Sequence, residues 1–265
     1  MKKIKTFRIF SNDNKESKTI KSIVQKKLQN SGFLSVLDGY DLAIAIGGDG
    51  SFLRMIKKTN FNSNVLYIGI NTGTLGFAQE VSIQNIDCFI EDLKNGQYKV
   101  DEIGIQETKI VTNQNVTNFY SLNEIVLREK DLNVLKLDVF IDEVKLEEYI
   151  GDGILVATSF GSTAYNLSLG GSIIYNTFLS LQITPIAPLN SRSYRSLLHS
   201  FIVPTDKKIS FIPTRNKNVL LQLDGDNIEF MGVEKIETGM WQKRICCLRT
   251  KEYDFSKIIN DKFLK

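Results

Sequence analysis

The stretch DLAIAIGGDGSFLRMIKK, residues 41–58, constrains the fold more than any other. Its first six residues read as a buried strand. GGDG then makes a tight turn, and the following residues have helical apolar spacing. A strand that feeds directly into a helix fits a parallel, doubly wound sheet, because parallel strands need a crossover connection. The first N–H groups of such a helix lack internal partners and carry partial positive charge, so the junction suits a phosphate. Yet the third turn residue is Asp49, itself an anion. The turn matches neither the dinucleotide fingerprint G-x-G-x-x-G nor the Walker pattern, which ends in Lys-Ser or Lys-Thr.

The same alternation extends to about residue 100. KTFRIFS (5–11) and VLYIGI (65–70) read as strands, and residues 15–30 as a helix with Ile20, Ile23, Val24 and Leu28 on one face. SIQNIDCFIEDLKNG (82–96) reads as a helix stopped by Gly96. The pattern then changes. VLKLDVFIDEVKLEEYI (134–150) predicts a hairpin turning near Asp142–Glu143. ILVATSF, SFIVP, KISFIP and NVLLQLDGDNIEFMG follow as strands, the last folding at Asp224-Gly225. The expectation is an α/β domain over 1–100 and an all-β, sandwich-like domain over 101–249. The last segment, about 250–265, reads as a helix with Phe255, Ile258, Ile259 and Phe263 on one stripe, packing back onto the first domain.

Composition narrows the function classes. With 33 basic and 30 acidic residues the net charge is +3, without the basic excess of a nucleic-acid binder. Apolar runs are too short for a membrane span, and MKKIKTFRIF is too short and interrupted for a signal peptide. Cys88, Cys246 and Cys247 lack metal-ligand spacing and read as reduced thiols of a cytoplasmic protein. With one histidine, His199, the chain gives no sign of a histidine-based triad.

Two further loops could meet a ligand. INTGTLGF (70–77) follows a buried strand and belongs at the same carboxyl edge, where open α/β sheets bind ligands. GDGILVATSFGSTAYNLSLGG (151–171) offers the hydroxyls of Ser162, Thr163 and Ser168 and the Tyr165 ring, unless Ser162 or Thr163 only caps a helix. Asn123-Glu124, in the strand-like run FYSLNEIVLRE, is either a surface pair or a nucleoside contact.

GGDG at 47–50, NTGTLGF, LNE, GDG and GSTAYNLSLGG occur in the order and spacing of the bacterial NAD kinases, and over nearly its whole length the chain resembles that family. The resemblance implies a nucleotide-binding α/β domain, a β-rich NAD-binding domain, and ATP-dependent phosphorylation of the adenosine-ribose 2′-hydroxyl of NAD, giving NADP. It implies that the amides of Gly47, Gly48 and Gly50 hold ATP with Mg²⁺ carried on its phosphates, with no protein metal cage. Asp49 would then serve the acceptor hydroxyl, orienting it and accepting its proton. An unperturbed carboxylate is a weak base at neutral pH, but phosphoryl transfer has a loose transition state in which positioning dominates. By the same resemblance Asn123 and Glu124 contact the nucleoside of NAD and Asp152 a base. Thr163, Ala164, Tyr165, Asn166 and Ser168 line the cleft, and Ala187 closes one side. Asp224 reaches the ligand unless it only makes a turn. The family also implies a homotetramer or homodimer.

Phe160 and Ile150 depart from the family pattern, where a hydroxyl and, in some relatives, a basic residue stand. Lipid kinases and phosphofructokinases also carry GGDG, and a regulator that only binds NAD is a further alternative. Asp49 argues against a pure binder, which gains nothing from a carboxylate beside phosphates.

Overall fold

In the computed structural model, which describes residues 4–73, 76–131 and 133–265, strand and helix alternate through Met1–Ile103, a unit that also takes in Arg244–Lys265. The order is β1 (Thr6–Ser11), α1 (Lys15–Asn30), β2 (Leu34–Ser35), β3 (Leu42–Ile46), α2 (Asp49–Lys58), β4 (Leu66–Asn71), β5 (Val81–Ser82), α3 (Ile86–Asn95) and the start of β6 (Tyr98–Thr112). Strands lie parallel in the order β2-β1-β3-β4, and Cys246 and Cys247 pair in parallel beside Leu66 and Tyr67. All five residues of β3 are buried, as a strand covered on both faces requires. Leu42, Ile44 and Ile46 join a core with Ile20, Val24 and Leu28 of α1 and Phe89 and Leu93 of α3. Alternation turns Ala43 and Ala45 to the opposite face, where small side chains let α2 pack onto β3.

Local signals set the helix ends. The Asn14 side chain caps α1 by accepting from the Ser17 N–H at 2.7 Å. Gly96 ends α3 with φ of 69°, left-handed as a C-terminal stop requires. Ile23, expected on the buried face of α1, is 45% exposed, because Ile20, Val24 and Leu28 already fill that face.

Gly104–Lys243 form the second unit. Here follow β7 (Val116–Ser121), β8 (Glu124–Glu129), β9 (Leu135–Ile141), β10 (Val144–Gly151), β11 (Gly153–Thr158), the short α4 (Tyr165–Ser168), β12 (Leu181–Ile186), β13 (Phe201–Val203), β14 (Ile209–Pro213), β15 (Val219–Leu223), β16 (Asp226–Phe230) and the first part of β17 (Val233–Thr250). An antiparallel sheet runs β13-β12-β11-β8-β15-β16. A second layer is β10-β9-β14-β17, and β6 pairs β7. Leu127, Val156 and Ile183 of the first layer share one core with Leu137, Val139 and Phe211 of the second, which makes this unit a β-sandwich. The first sheet's other face carries Val126, Leu155, Ala157 and Ile186, with Tyr165 and Leu169 packed against them. After β17 the chain ends in α5 (Phe255–Phe263), within the first unit.

Four segments differ from the sequence reading. ILVATSF ends as a strand at Thr158, and residues 160–163 form a single 3₁₀ turn. Asn123 lies between β7 and β8, not inside a strand. Residues 98–112 and 181–186, where the sequence pattern marks no element, are strands. In β12, Pro185 hides the pattern, but it lies past the three residues that pair with β13, at a position where strands tolerate proline.

Candidate functional site

In the first unit the glycine turn closes the carboxyl end of β3. Gly47 has φ of 137°, and a Cβ there would overlap the Ser51 hydroxyl, so only glycine fits; its N–H, expected on ATP, instead donates to the Ile70 carbonyl at 3.0 Å. Gly48 caps α2 with extended backbone, and its carbonyl accepts from the buried Gln79 side chain at 2.8 Å. Asp49 opens α2 and is half-buried. One carboxylate oxygen accepts the Phe77 N–H and the other the Ala78 N–H, each at 3.0 Å. Gly76 lies so close that any Cβ would collide with that carboxylate. The end of NTGTLGF therefore clasps Asp49, while Thr74 and Leu75 of that loop fall outside the described residues. A carboxylate has about four lone-pair positions, so two amide bonds leave each oxygen able to accept again.

Neighbouring side chains brace this arrangement. Exposed Arg54, one helical turn past Gly50, donates to Asn12 Oδ1 at 2.7 Å and to the Ser51 hydroxyl at 3.1 Å, which places a cation beside the turn. Gly69 makes room for Gln79, since a Cβ there would strike the Gln79 amide and the Ala78 carbonyl. Past the loop, Glu80 accepts from Arg249 at 3.2 Å and from the Thr250 N–H. The Phe77 ring stacks on Phe263 of α5 with centroids 5.5 Å apart. The sequence reading does not include Gln79 or Arg54. Arg54 lies one helical turn beyond the glycine turn, a position the sequence shows, but nothing local marks Gln79.

In the second unit, half-buried Asn123 and buried Glu124 sit at the start of β8. The Asp224 carboxylate accepts the N–H groups of Leu122, Asn123 and Glu124 at 2.7–3.2 Å. Asp224 and Gly225 have φ of 45° and 91°, the left-handed pair of a two-residue hairpin turn. The turn reading therefore holds, and the carboxylate faces backbone.

Exposed Asp152 donates its N–H to the Ile186 carbonyl at 3.0 Å, bringing it beside Ala187, whose φ is 44°. A non-glycine residue held there is strained, a state that clusters at functional sites. The buried Tyr149 hydroxyl joins these loops. It contacts the carbonyls of Gly153 and Ile186 and accepts the Ile186 N–H at 3.3 Å, and burial pushes its pKa up so that it stays a neutral donor.

The GSTAYNLS segment divides by burial. Thr163, Ala164 and Tyr165 are half-buried and Ser168 is exposed, with the Tyr165 hydroxyl 2.9 Å from Arg128. Asn166 is fully buried; its amide nitrogen donates to Gln182 at 2.6 Å and its oxygen accepts from Thr184 at 2.6 Å. The Ser162 hydroxyl bonds Ile174 in both directions, so it neither caps a helix nor faces a ligand. Phe160 and Ile150 are buried, and His199 is exposed. Among the described residues no group of three or more His, Cys, Asp or Glu side chains could hold a metal, and no helix is long and apolar enough to cross a membrane.

Comparison with known proteins gives consistent matches. Family models for the ATP-NAD kinase N-terminal and C-terminal domains match residues 10–98 and 122–241. The NAD kinase of Finegoldia magna is 42% identical over 241 residues, covering 88% of both chains. NAD kinase 2 of Halalkalibacterium halodurans is 32% identical over 257 residues, covering 94% of this chain and 96% of that protein. Among solved structures, yeast NADH kinase complexed with NADH superposes with a TM-score of 0.85 at 20% identity, covering 100% of this chain and 88% of that one. An Archaeoglobus fulgidus NAD kinase in complex with ATP gives 0.74 at 20% identity, covering 96% and 97%. Family models over both parts of the chain and relatives covered nearly end to end agree, and the chain belongs to the NAD kinase family.

Proposed function

We infer that this chain transfers the terminal phosphoryl group of ATP to the 2′-hydroxyl of the adenosine ribose of NAD, giving NADP. The observation that carries the reading is Asp49, a carboxylate fixed by two backbone N–H groups inside a glycine turn of the kind that binds phosphate. In this reading the free amides around Gly48 and Gly50 and the Arg54 guanidinium receive the ATP phosphates. Asp49 uses its remaining lone pairs to orient the acceptor hydroxyl and take its proton as the new bond forms. The family models matching both units favour this reading over a lipid or sugar-phosphate kinase sharing GGDG. ADP release from ATP tests the reading: it should depend on NAD, and release at the same rate without NAD would contradict it.

Hard cations take oxygen donors, and the carboxylate of Asp49 with a triphosphate supplies them without histidine or cysteine. A divalent cation, which we take to be Mg²⁺, neutralises charge on the phosphate oxygens when bound. EDTA should abolish turnover and Mg²⁺ alone restore it; activity persisting in EDTA would exclude the metal.

In the second unit we assign NAD to Asn123, Glu124, Asp152, Thr163, Ala164, Tyr165, Ser168 and the backbone at Ala187. Asn166, with its amide engaged on Gln182 and Thr184, shapes this surface from beneath. Asn123→Ala or Tyr165→Ala should raise the KM for NAD more than it lowers kcat, the pattern of lost uniform binding. A change in the KM for ATP instead would assign these loops to the wrong substrate.

We also propose a homo-oligomer. Tyr175, Phe178, Leu198 and Ile202 are large, apolar and exposed, and β13 is the edge of its sheet. Sedimentation should give a dimer or tetramer mass, and a monomer at micromolar concentration would contradict this. Three free thiols fit a reducing compartment, the cytoplasm.

A further inference from the structure

We propose that Asp224 is a positioning residue for NAD: it sets affinity by holding the Leu122-Asn123-Glu124 backbone, without touching the ligand. The proposal rests on the reading that Asn123 and Glu124 face the nucleoside.

Every backbone N–H and C=O of that tripeptide has a partner. All three N–H groups donate to the Asp224 carboxylate, Leu122 at 2.9 and 3.1 Å, Asn123 at 2.7 Å and Glu124 at 3.2 Å. All three carbonyls are met from two residues as well. Leu122 accepts from the Thr158 hydroxyl at 2.5 Å, Asn123 from the Thr158 N–H at 2.8 Å, and Glu124 from the Asp224 N–H at 3.1 Å. Gly161 closes over the same point, for a Cβ there would overlap the Asn123 carbonyl. The tripeptide spans the break between β7 and β8, so these contacts substitute for a regular strand ladder.

The residue type follows from this geometry. Three converging N–H donors call for a group that only accepts, and an ionised carboxylate makes the stronger, charge-assisted bonds. The backbone at this position has φ of 45°, which aspartate tolerates better than most side chains. One side chain thus makes the hairpin between β15 and β16 and anchors a segment about a hundred residues earlier in the chain. With its oxygens turned to those amides, Asp224 acts on NAD through Asn123 and Glu124.

Asp224→Gly tests this, because glycine accepts the positive φ without strain and removes only the carboxylate. It should raise the KM for NAD on the order of tenfold or more, with kcat and the KM for ATP changing less than about threefold. Amide exchange at residues 122–124 should accelerate while that of β11 does not. Asp224→Asn, which keeps one acceptor oxygen, should shift both readouts the same way by less; it carries the test if the glycine variant fails to fold. An unchanged KM for NAD, or a parallel rise in both KM values, overturns the proposal. Asn123→Ala separates the two levels. If it raises the KM for NAD and Asp224→Gly does not, only the positioning role falls. If it leaves that KM unchanged, the nucleoside assignment falls and this proposal with it.

Discussion

Replacing Asp49 with asparagine should lower kcat by roughly 10²–10⁴, about 3–5 kcal/mol of barrier, while NAD still binds. The variant keeps the size of the side chain and removes its charge and one acceptor. Both carboxylate oxygens accept backbone N–H groups, from Phe77 and Ala78, so an asparagine amide must oppose one of those donors. Two losses coincide: the acceptor for the hydroxyl proton, and the fixed orientation of the group that holds it. Titration with NAD separates them from a general collapse of the site. A variant with near-normal kcat would remove Asp49 from the reaction.

Arg249→Met should destabilise the protein by about 3–5 kcal/mol at neutral pH, the cost of leaving buried charge without its partner. The Arg249 side chain is 3% exposed, and it pairs with Glu80 (6% exposed) at 3.2 Å and with Asp101 at 2.9 Å. Its guanidinium also lies 4.2 Å from the centre of the Tyr253 ring. Burial pushes the Glu80 carboxyl above its ordinary pKa, and Arg249 and the Thr250 amide oppose that shift. Without the arginine the shift grows, so at neutral pH the variant must bury an unpaired carboxylate or bind a proton to it. A carboxyl whose folded pKa is raised favours folding at low pH and loses that contribution as pH rises through the folded value. The deficit relative to the unaltered protein should therefore be largest at neutral pH and narrow on acidification. Urea unfolding at neutral and mildly acidic pH measures it; an equal deficit at both would place the cost elsewhere than Glu80. Because Glu80 follows the loop that clasps Asp49, the same variant should also lose turnover under conditions where it remains folded.

What was legible in the sequence had local causes. The strand–helix alternation of the first unit, the stop at Gly96 and the turns at Asp142–Glu143 and Asp224-Gly225 each follow from a few adjacent residues, and the structure has them, with α3 starting at Ile86 rather than Ser82. Asp49 stood out because its charge is wrong for a phosphate turn. The bracing groups were invisible for the opposite reason. Gln79 reaches Gly48, Arg249 reaches Glu80 and Asp101, and Tyr149 reaches Ile186, all across long separations in sequence. No spacing rule marks such contacts, because they exist only once the sheets have formed. Asn166 and Ser162 show how burial enters. They look like ligand groups beside a glycine-rich turn, yet folding turns both inward, onto Gln182 and Thr184 in one case and Ile174 in the other. Polar type alone does not tell a recognition group from a buried one that is already satisfied.

The most direct measurement is product identity. Purified protein is incubated with ATP, Mg²⁺ and NAD, and the product is offered to a dehydrogenase that accepts only the 2′-phosphorylated dinucleotide. The unaltered enzyme should yield that substrate in step with ADP, and Asp49→Asn should lose most of the yield. ADP formed without any dinucleotide the dehydrogenase can use, or an undiminished yield from Asp49→Asn, would contradict the account.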